Sequence, residues 1–281
     1  MPAKNRSAVV LTTDFSLKDG AVSAMRGVAF GVDPNLTISD LTHEIVPFNI
    51  FEAAYRLQQT YRYWPPGTVF VTVVDPGVGS ARQSIVMLTK SGHYFVGPDN
   101  GHLSLVANEA GIEQVKIIDE ARHRLKGSED SYTFHGRDLY VYVGARLASK
   151  QIKFEDLGKN LEKDIVRIPF QPAEFQLGKI RGTIPVLDPN YGNVWTNIPK
   201  KLFQQHFSAK SQIRVQIFHG TKKVLEQTVP IVETFAKVGR GQPLAYFNSL
   251  LNLSLALNMD NFAKKFAIGS GSDWTISVEA K

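Results

Sequence analysis

The chain has no cysteine. That excludes disulfides, thiolate nucleophiles and cysteine-held zinc. No apolar run approaches the ~18 residues of a membrane-spanning helix. The apolar stretch Ala8–Leu11, behind Lys4 and Arg6, is too short for the core of a signal peptide. Charge of one sign is also scarce. Lys and Arg number 32 against 26 Asp and Glu, for a net charge of +6, and the cations are scattered. Their nearest cluster, Arg122-His123-Arg124-Leu125-Lys126, has no aromatic interleaving. This balance suits an anionic small ligand better than nucleic acid. A soluble cytoplasmic protein with no nucleic-acid or membrane partner is expected.

Several catalytic signatures are missing as well. There is no Gly-Lys-Ser/Thr phosphate loop, no His-Glu-x-x-His and no Gly-x-Ser-x-Gly elbow. Gly77-Val78-Gly79-Ser80-Ala81-Arg82 opens like a dinucleotide fingerprint but lacks its third glycine and a following helix. What the chain has is length and apolar content. With 281 residues and 43% apolar side chains, it can bury a large core in one large domain or two.

The most informative stretch is Thr72-Val73-Val74-Asp75-Pro76-Gly77-Val78-Gly79-Ser80-Ala81-Arg82. A β-branched run favours a strand buried on both faces. The proline and glycines then force a tight turn. Ligands of α/β proteins sit at the carboxyl ends of strands, where Asp75 and Arg82 would fall. A plain turn, with Asp75 capping its own backbone and Arg82 in solvent, fits the same residues.

Along the chain, strands are expected near Ala8–Thr13, Leu36–Leu41, Val69–Val74, Ser84–Thr89, His93–Val96 and Val115–Ile118. Helices are expected from about Gly20 to Phe30, Ile50 to Tyr63 and His102 to Glu109, and Thr133–Asp138 leads into a further one that runs to Ser149. Trp64-Pro65-Pro66-Gly67 stops the second of these. The alternation predicts an α/β domain over 1–170 with a largely parallel central sheet. Pro169, Gln171 and Pro172 read as a linker. The remainder, 178–281, is mainly short strands, with Asn261–Ala267 the one helix expected. A small β-barrel or sandwich is the expected form.

Polar residues at strand ends carry the chemistry: Asp14, Asp75, Arg82, Asn100 and His135. Asp14 could accept both hydroxyls of a ribose, or could cap the next helix. A His, Asp and Arg converging on one cleft could orient a water and stabilise developing hydroxide. In the second part, Asp188-Pro189-Asn190-Tyr191-Gly192-Asn193-Val194-Trp195-Thr196-Asn197 offers amides for a purine edge and rings for stacking, as does Phe235. An Asn-Gly turn flanked by core aromatics would look the same.

Taken in order, Leu11-Thr12-Thr13-Asp14-Phe15, Pro47-Phe48-Asn49, Val74–Arg82, Gly97-Pro98-Asp99-Asn100-Gly101, Thr133-Phe134-His135-Gly136-Arg137-Asp138, Tyr191–Asn197 and Ala245-Tyr246-Phe247-Asn248-Ser249 resemble the S-adenosyl-L-methionine (SAM) hydrolases that form adenosine. These are also called SAM hydroxide adenosyltransferases and are related to fluorinase and chlorinase. The resemblance spans nearly the whole chain. It implies an α/β domain followed by a β-barrel, a homotrimer with sites between subunits, and SAM as substrate with no cofactor and no metal. Water would displace L-methionine from the ribose 5′ carbon.

By the same resemblance, Asp75, Arg82 and His135 would activate the water, and Asp14 would hold the ribose. Phe48 would wall the sugar, and Phe134 and Gly136 would line the nucleophile pocket. Asp188 would bind the methionine amine and Ser249 its carboxylate. Asn193 would read adenine, Phe235 would stack on it, and Trp195 would lie near the methionine. Leu250, Leu251, Met259, Asp260 and Asn261 depart from the family pattern. A SAM- or adenosine-binding protein with little turnover is therefore a second reading, and a halogenase a third.

Overall fold

The computed structural model describes residues 7–207 and 211–281. Lys4 and Arg6 lie outside that range. The chain divides after Ile168 into two compact units, each with its own core.

The first unit is built on one sheet. Its strands are β1 (Val9–Thr13), β2 (Ile38–Thr42), β3 (Val69–Val73), β4 (Ser84–Thr89), β5 (Tyr94–Pro98) and β6 (Ile112–Ile117). Their order is β2-β1-β3-β5-β4-β6. β1 pairs in parallel with β2 and β3, and β3 in parallel with β5. β4 runs against both β5 and β6. The sheet is thus mainly parallel with one reversed strand. Because β4 is reversed, its first residue, Ser84, lies at the edge where the other strands end.

The helices are α1 (Ala21–Val32), α2 (Ile50–Thr60), α3 (Ser104–Ala110), α4 (Glu120–His123) and α5 (Val141–Ala148). β1 and β3 are buried throughout because helices cover both faces. Val9, Leu11, Val69 and Val71 share a core with Met25 of α1 and Val141 of α5. Val10 and Phe70, on the opposite face, pack with Leu57 of α2 and Val106 of α3. β1 has β2 on one side and β3 on the other. The connections therefore diverge there, opening a crevice at the carboxyl ends of β1 and β3.

The second unit is antiparallel. β7 (Glu174–Gln176), β8 (Lys179–Ile184), β9 (Val186–Leu187), β10 (Val194–Pro199), β11 (Gln212–His219), β12 (Lys222–Pro230), β13 (Pro243–Phe247), β14 (Asn252–Leu257) and β15 (Gly271–Ala280) form two sheets. Their orders are β12-β11-β15-β8-β7 and β13-β14-β10-β9. Ile180, Val215 and Val278 of one sheet share a core with Val194, Leu253 and Leu255 of the other. A single bridge, Ile231 to Ala245, joins the end of β12 to β13. A closed hydrogen-bonded ring is not formed among the described residues.

Among the described residues two α-helices are present here, α6 (Lys200–Phe207) and α7 (Phe262–Phe266). Only α7 was expected from the sequence. α6 is amphipathic and buries Phe203 and Phe207. β7 falls within the stretch expected to be linker and pairs with β8.

Candidate active site

In the first unit the polar residues collect at one edge of the sheet, because five strands end there or run out just beyond it. Asp14 follows β1, Asp75 follows β3, Asn100 follows β5 and Glu120 follows β6. Asp14 does not cap α1: its Oδ2 accepts the backbone N–H of Phe48 at 2.9 Å. That bond holds Phe48 at φ 68°, a left-handed conformation costly for a phenylalanine, with its ring exposed. Beside Asp14, the Thr13 hydroxyl lies 2.8 Å from His43 Nδ1, and His43 Nε2 lies 3.0 Å from Asp40. The order of groups imitates a nucleophilic triad, but Thr13 is wholly buried and no substrate can reach it. It ties β1 to β2.

Asp75 and Arg82 form a bidentate pair. The guanidinium Nε donates to both carboxylate oxygens at 3.1 and 3.0 Å, and its terminal nitrogen donates at 2.6 Å. Both side chains are buried, so the solvated arginine of a plain turn is not found. The turn between them needs its glycines. Gly79 has φ 78°, and a Cβ on Gly77 would press on Ser80 and on the Arg82 stem. Asn100 steadies the start of the turn by donating to the Val74 carbonyl at 2.8 Å.

His135 begins one turn of π-helix, Gly136–Tyr140, which leads into α5. Such turns are frequent at functional sites. The imidazole is buried and does not touch Asp75 or Arg82 directly. Its Nε2 lies 3.4 Å from Glu120 Oε2 and 3.5 Å from Arg124. Ser84 joins the two parts: its hydroxyl donates to Glu120 Oε1 at 2.6 Å and accepts from Arg82 at 3.1 Å. The one hydroxyl proton being so engaged, the Tyr140 hydroxyl is the donor across its 3.0 Å contact with Ser84.

Burial pushes the Tyr140 phenol far up, while the Arg82 guanidinium is held charged against desolvation by the hydrogen bonds it donates to Asp75. His135 and Ser84 together hold the Glu120 carboxyl down at about 2. The sequence reading missed Ser84, Glu120, Arg124 and Tyr140. Glu120 carried the signal used elsewhere, an acid just beyond a strand.

A cavity of about 270 Å³ opens at this edge, lined by Asp14, Phe48, Asp75, Phe134, His135 and Gly136 among others. Six of the expected residues therefore meet, and Arg82 stands behind Asp75. The Phe134 ring packs edge-on against Phe15 at 5.7 Å. Gly136 leaves room for Phe15, Phe134 and Val73, all within 3.4 Å of where a Cβ would sit.

In the second unit, Asp188 organises a turn. Its Oδ1 accepts from the N–H groups of Asn190 and Tyr191, and its Oδ2 from the Asn193 amide at 3.2 Å. A cavity of about 740 Å³ is lined by Asn193, Phe235, Tyr246 and Met259, among others. Phe235 packs 5.0 Å from the Tyr246 ring. The Trp195 indole donates to the Tyr246 hydroxyl at 3.4 Å without lining the cavity. Asp188 does not line it either, and Ser249 is exposed on the turn between β13 and β14. Another cavity, about 750 Å³ over β8 and β15, holds none of the expected residues. Among the described residues there is no cluster of three or more His, Asp or Glu arranged to hold a metal. No helix among them is long and apolar enough to cross a membrane.

Two family models cover most of the chain. The SAM hydroxide adenosyltransferase N-terminal domain matches residues 9–158, and the C-terminal domain of the same family matches 182–275. The chain belongs to the SAM hydroxide adenosyltransferase family. An (R)-S-adenosyl-L-methionine hydrolase of Methanocaldococcus jannaschii is 34% identical over 91% of this chain and 90% of its own. A fluorinase of an Actinoplanes species is 28% identical over 99% of both chains. An uncharacterised conserved protein of Thermotoga maritima, solved by crystallography, superposes with a TM-score of 0.87. It is 32% identical, over 96% of this chain and 99% of that one. Each of the two matched domains contains one of the cavities that gather the expected residues.

Proposed function

We propose that the protein hydrolyses S-adenosyl-L-methionine to adenosine and L-methionine. Water attacks the ribose 5′ carbon in line with the departing sulfur. The new bond is oxygen to carbon, the carbon–sulfur pair leaves with the sulfur of methionine, and the water proton passes to the protein and then to solvent. A sulfonium leaves unaided, so the step asks for no metal and no cofactor. What the protein supplies is position, a dry pocket and an acceptor for the proton.

The observation carrying this reading is the buried Asp75–Arg82 pair beside a cavity that Asp14, Phe48 and His135 also line. In the proposed roles, Asp75 and His135 orient the water and Arg82 favours hydroxide character. Asp14 binds the ribose hydroxyls, with Phe48 as the sugar wall, and Phe134 and Gly136 shape the water pocket. Asn193 and Phe235 receive adenine. Asp188, Trp195 and Ser249 serve the methionine end, Asp188 through the lone pairs its turn leaves open. The family resemblance adds a homotrimer in which one subunit's first unit works with another's second, and a barrel-like second domain. The Asp75 carboxylate in the cavity wall opposes a halide there, which weighs against halogenation.

The test is incubation with SAM in heavy-oxygen water, each sulfonium epimer offered separately because the relatives' names specify the (R) form. Adenosine labelled at its 5′ oxygen, with methionine in equal amount, is expected. Asp75→Asn should lower kcat by about 10²–10⁴. Measurable SAM binding with no adenosine above the enzyme-free control would leave a binding protein in place of a hydrolase.

A further inference from the structure

We propose that Glu120 is a positioning residue for the hydrolytic step, fixing which ring nitrogen of His135 carries the proton. The inference rests on the hydrolase reading above.

Glu120 stands at the first position of α4, yet it does not cap that helix. Asp119 does so, accepting from the Arg122 N–H. Both Glu120 oxygens point to the site instead. Oε1 takes the Ser84 hydroxyl at 2.6 Å, and Oε2 faces His135 Nε2 at 3.4 Å. The Ser84 bond anchors the carboxylate, and Ser84 is itself fixed by Arg82 at 3.1 Å and Tyr140 at 3.0 Å. A continuous chain thus runs from Asp75 through Arg82, Ser84 and Glu120 to His135. The carboxylate is an anion throughout the working range, since its pKa is held at about 2.

Two charged groups compete for Nε2. Arg124, 3.5 Å away, can only donate, and would make Nε2 the lone-pair nitrogen. The Glu120 carboxylate can only accept, and makes Nε2 the N–H. The rings of Tyr132 and Tyr140 flank the imidazole at 6.5 and 6.2 Å and bring no charge to it, and Asp14 and Asp75 line the same cavity. Arg124 lies 4.5 Å over the Tyr132 ring, and its Nη1, 3.9 Å from Asp138, makes no hydrogen bond, whereas the Glu120 carboxylate is anchored by Ser84 and stands nearer to Nε2. Glu120 therefore sets the tautomer: Nε2 protonated, Nδ1 bare. Nδ1 is buried and has no partner in the protein. His135 lines the cavity and Nδ1 is its open lone pair, so the water proton goes there when a water reaches the ring. As that proton arrives, the anion across Nε2 stabilises the imidazolium.

The experiment has two readouts, one of them independent of turnover. Ring-nitrogen NMR of the labelled protein, with His135 assigned by difference against His135→Gln, reports the tautomer. Wild-type protein should show Nδ1 unprotonated at neutral pH. Glu120→Ala should show it protonated, because Arg124 then faces Nε2 alone. Glu120→Ala and Glu120→Gln should each lower kcat by about 10–100-fold with KM within a factor of about three, the size expected of a group that orients another. Ser84→Ala, which frees Oε1, should move both readouts in the same direction by less.

An unchanged tautomer in Glu120→Ala overturns the proposal whatever the activity. A changed tautomer with wild-type kcat overturns its role in the reaction. If wild-type protein forms no adenosine, the hydrolase reading fails, and the tautomer still decides what Glu120 does.

Discussion

His102 is wholly buried, and its Nδ1 lies 2.7 Å from the Asn100 side-chain oxygen, so Nδ1 is the donor. Nε2 has no partner. Burial holds the imidazole neutral, with a pKa of about 3. Asn100 in turn donates to the carbonyl of Val74, one residue before Asp75. A histidine outside the cavity thus bears on the turn that carries Asp75 and Arg82. Its folded pKa lies below the unfolded value of 6.5, so the unfolded chain takes up the proton first. The stability it contributes is whole above pH 6.5 and declines as pH falls from there toward 3. Between pH 6.5 and 5 the loss should reach up to about 2 kcal/mol. Urea midpoints of wild type and His102→Gln, compared at pH 7 and 5, isolate this effect from other titrations. A wild-type midpoint that drops no further than the variant's would show that His102 does not titrate in this way.

At the scale of elements, α5 sets how near His135 comes to the end of β3. Gly144 of α5 lies over Val71 of β3, and a Cβ there would stand 2.6 Å from the Val71 methyl. Alanine in a helix interior normally gains about 1 kcal/mol over glycine. Here overpacking opposes it with about 1–3 kcal/mol. Gly144→Ala should therefore lower Tm by a few degrees, where helix propensity alone would raise it. It should also lower kcat, since α5 must retreat from the strand that leads to Asp75. A raised Tm by calorimetry would sink the packing argument.

The elements that carry the site were the legible ones. β1 and β3 are β-branched runs that stop at an acid, and the turn after β3 announces itself by Pro76, Gly77 and Gly79. The pairing of Asp75 with Arg82 spans seven residues and one turn. The Lys90-Ser91-Gly92 turn marks β4 and β5 as a hairpin, which the antiparallel pairing bears out. Ser84 and Glu120 are 36 residues apart, and nothing in either local sequence says that β4 also lies beside β6, the pairing that makes them neighbours. α6 went unread because its apolar residues are few, mainly Leu202, Phe203 and Phe207, among Lys, Gln and His.

At the scale of the whole molecule, the expected residues fall into two sets. Asp14, Asp75 and His135 line a cavity of the first unit, and Asn193 and Phe235 line one of the second. The proposed roles divide SAM between them, the ribose and the water with the first set and adenine with the second. The homotrimer implied by family resemblance would join them head to tail, an arrangement that closes into a ring. Asp75→Asn and Asn193→Ala should each abolish most turnover by themselves. Co-expressed in one cell under two affinity tags and purified through both, they should recover activity. A site taking its first unit from the Asn193→Ala chain and its second from the Asp75→Asn chain has both halves intact. In every mixed ring of three that passes both tags, one site in three is of this kind. If each site instead lies within one chain, every site keeps one lesion and the mixture stays as inactive as its parts. Light scattering of the same preparation gives the mass, and recovery without a trimer's mass would refute the ring while keeping the shared site.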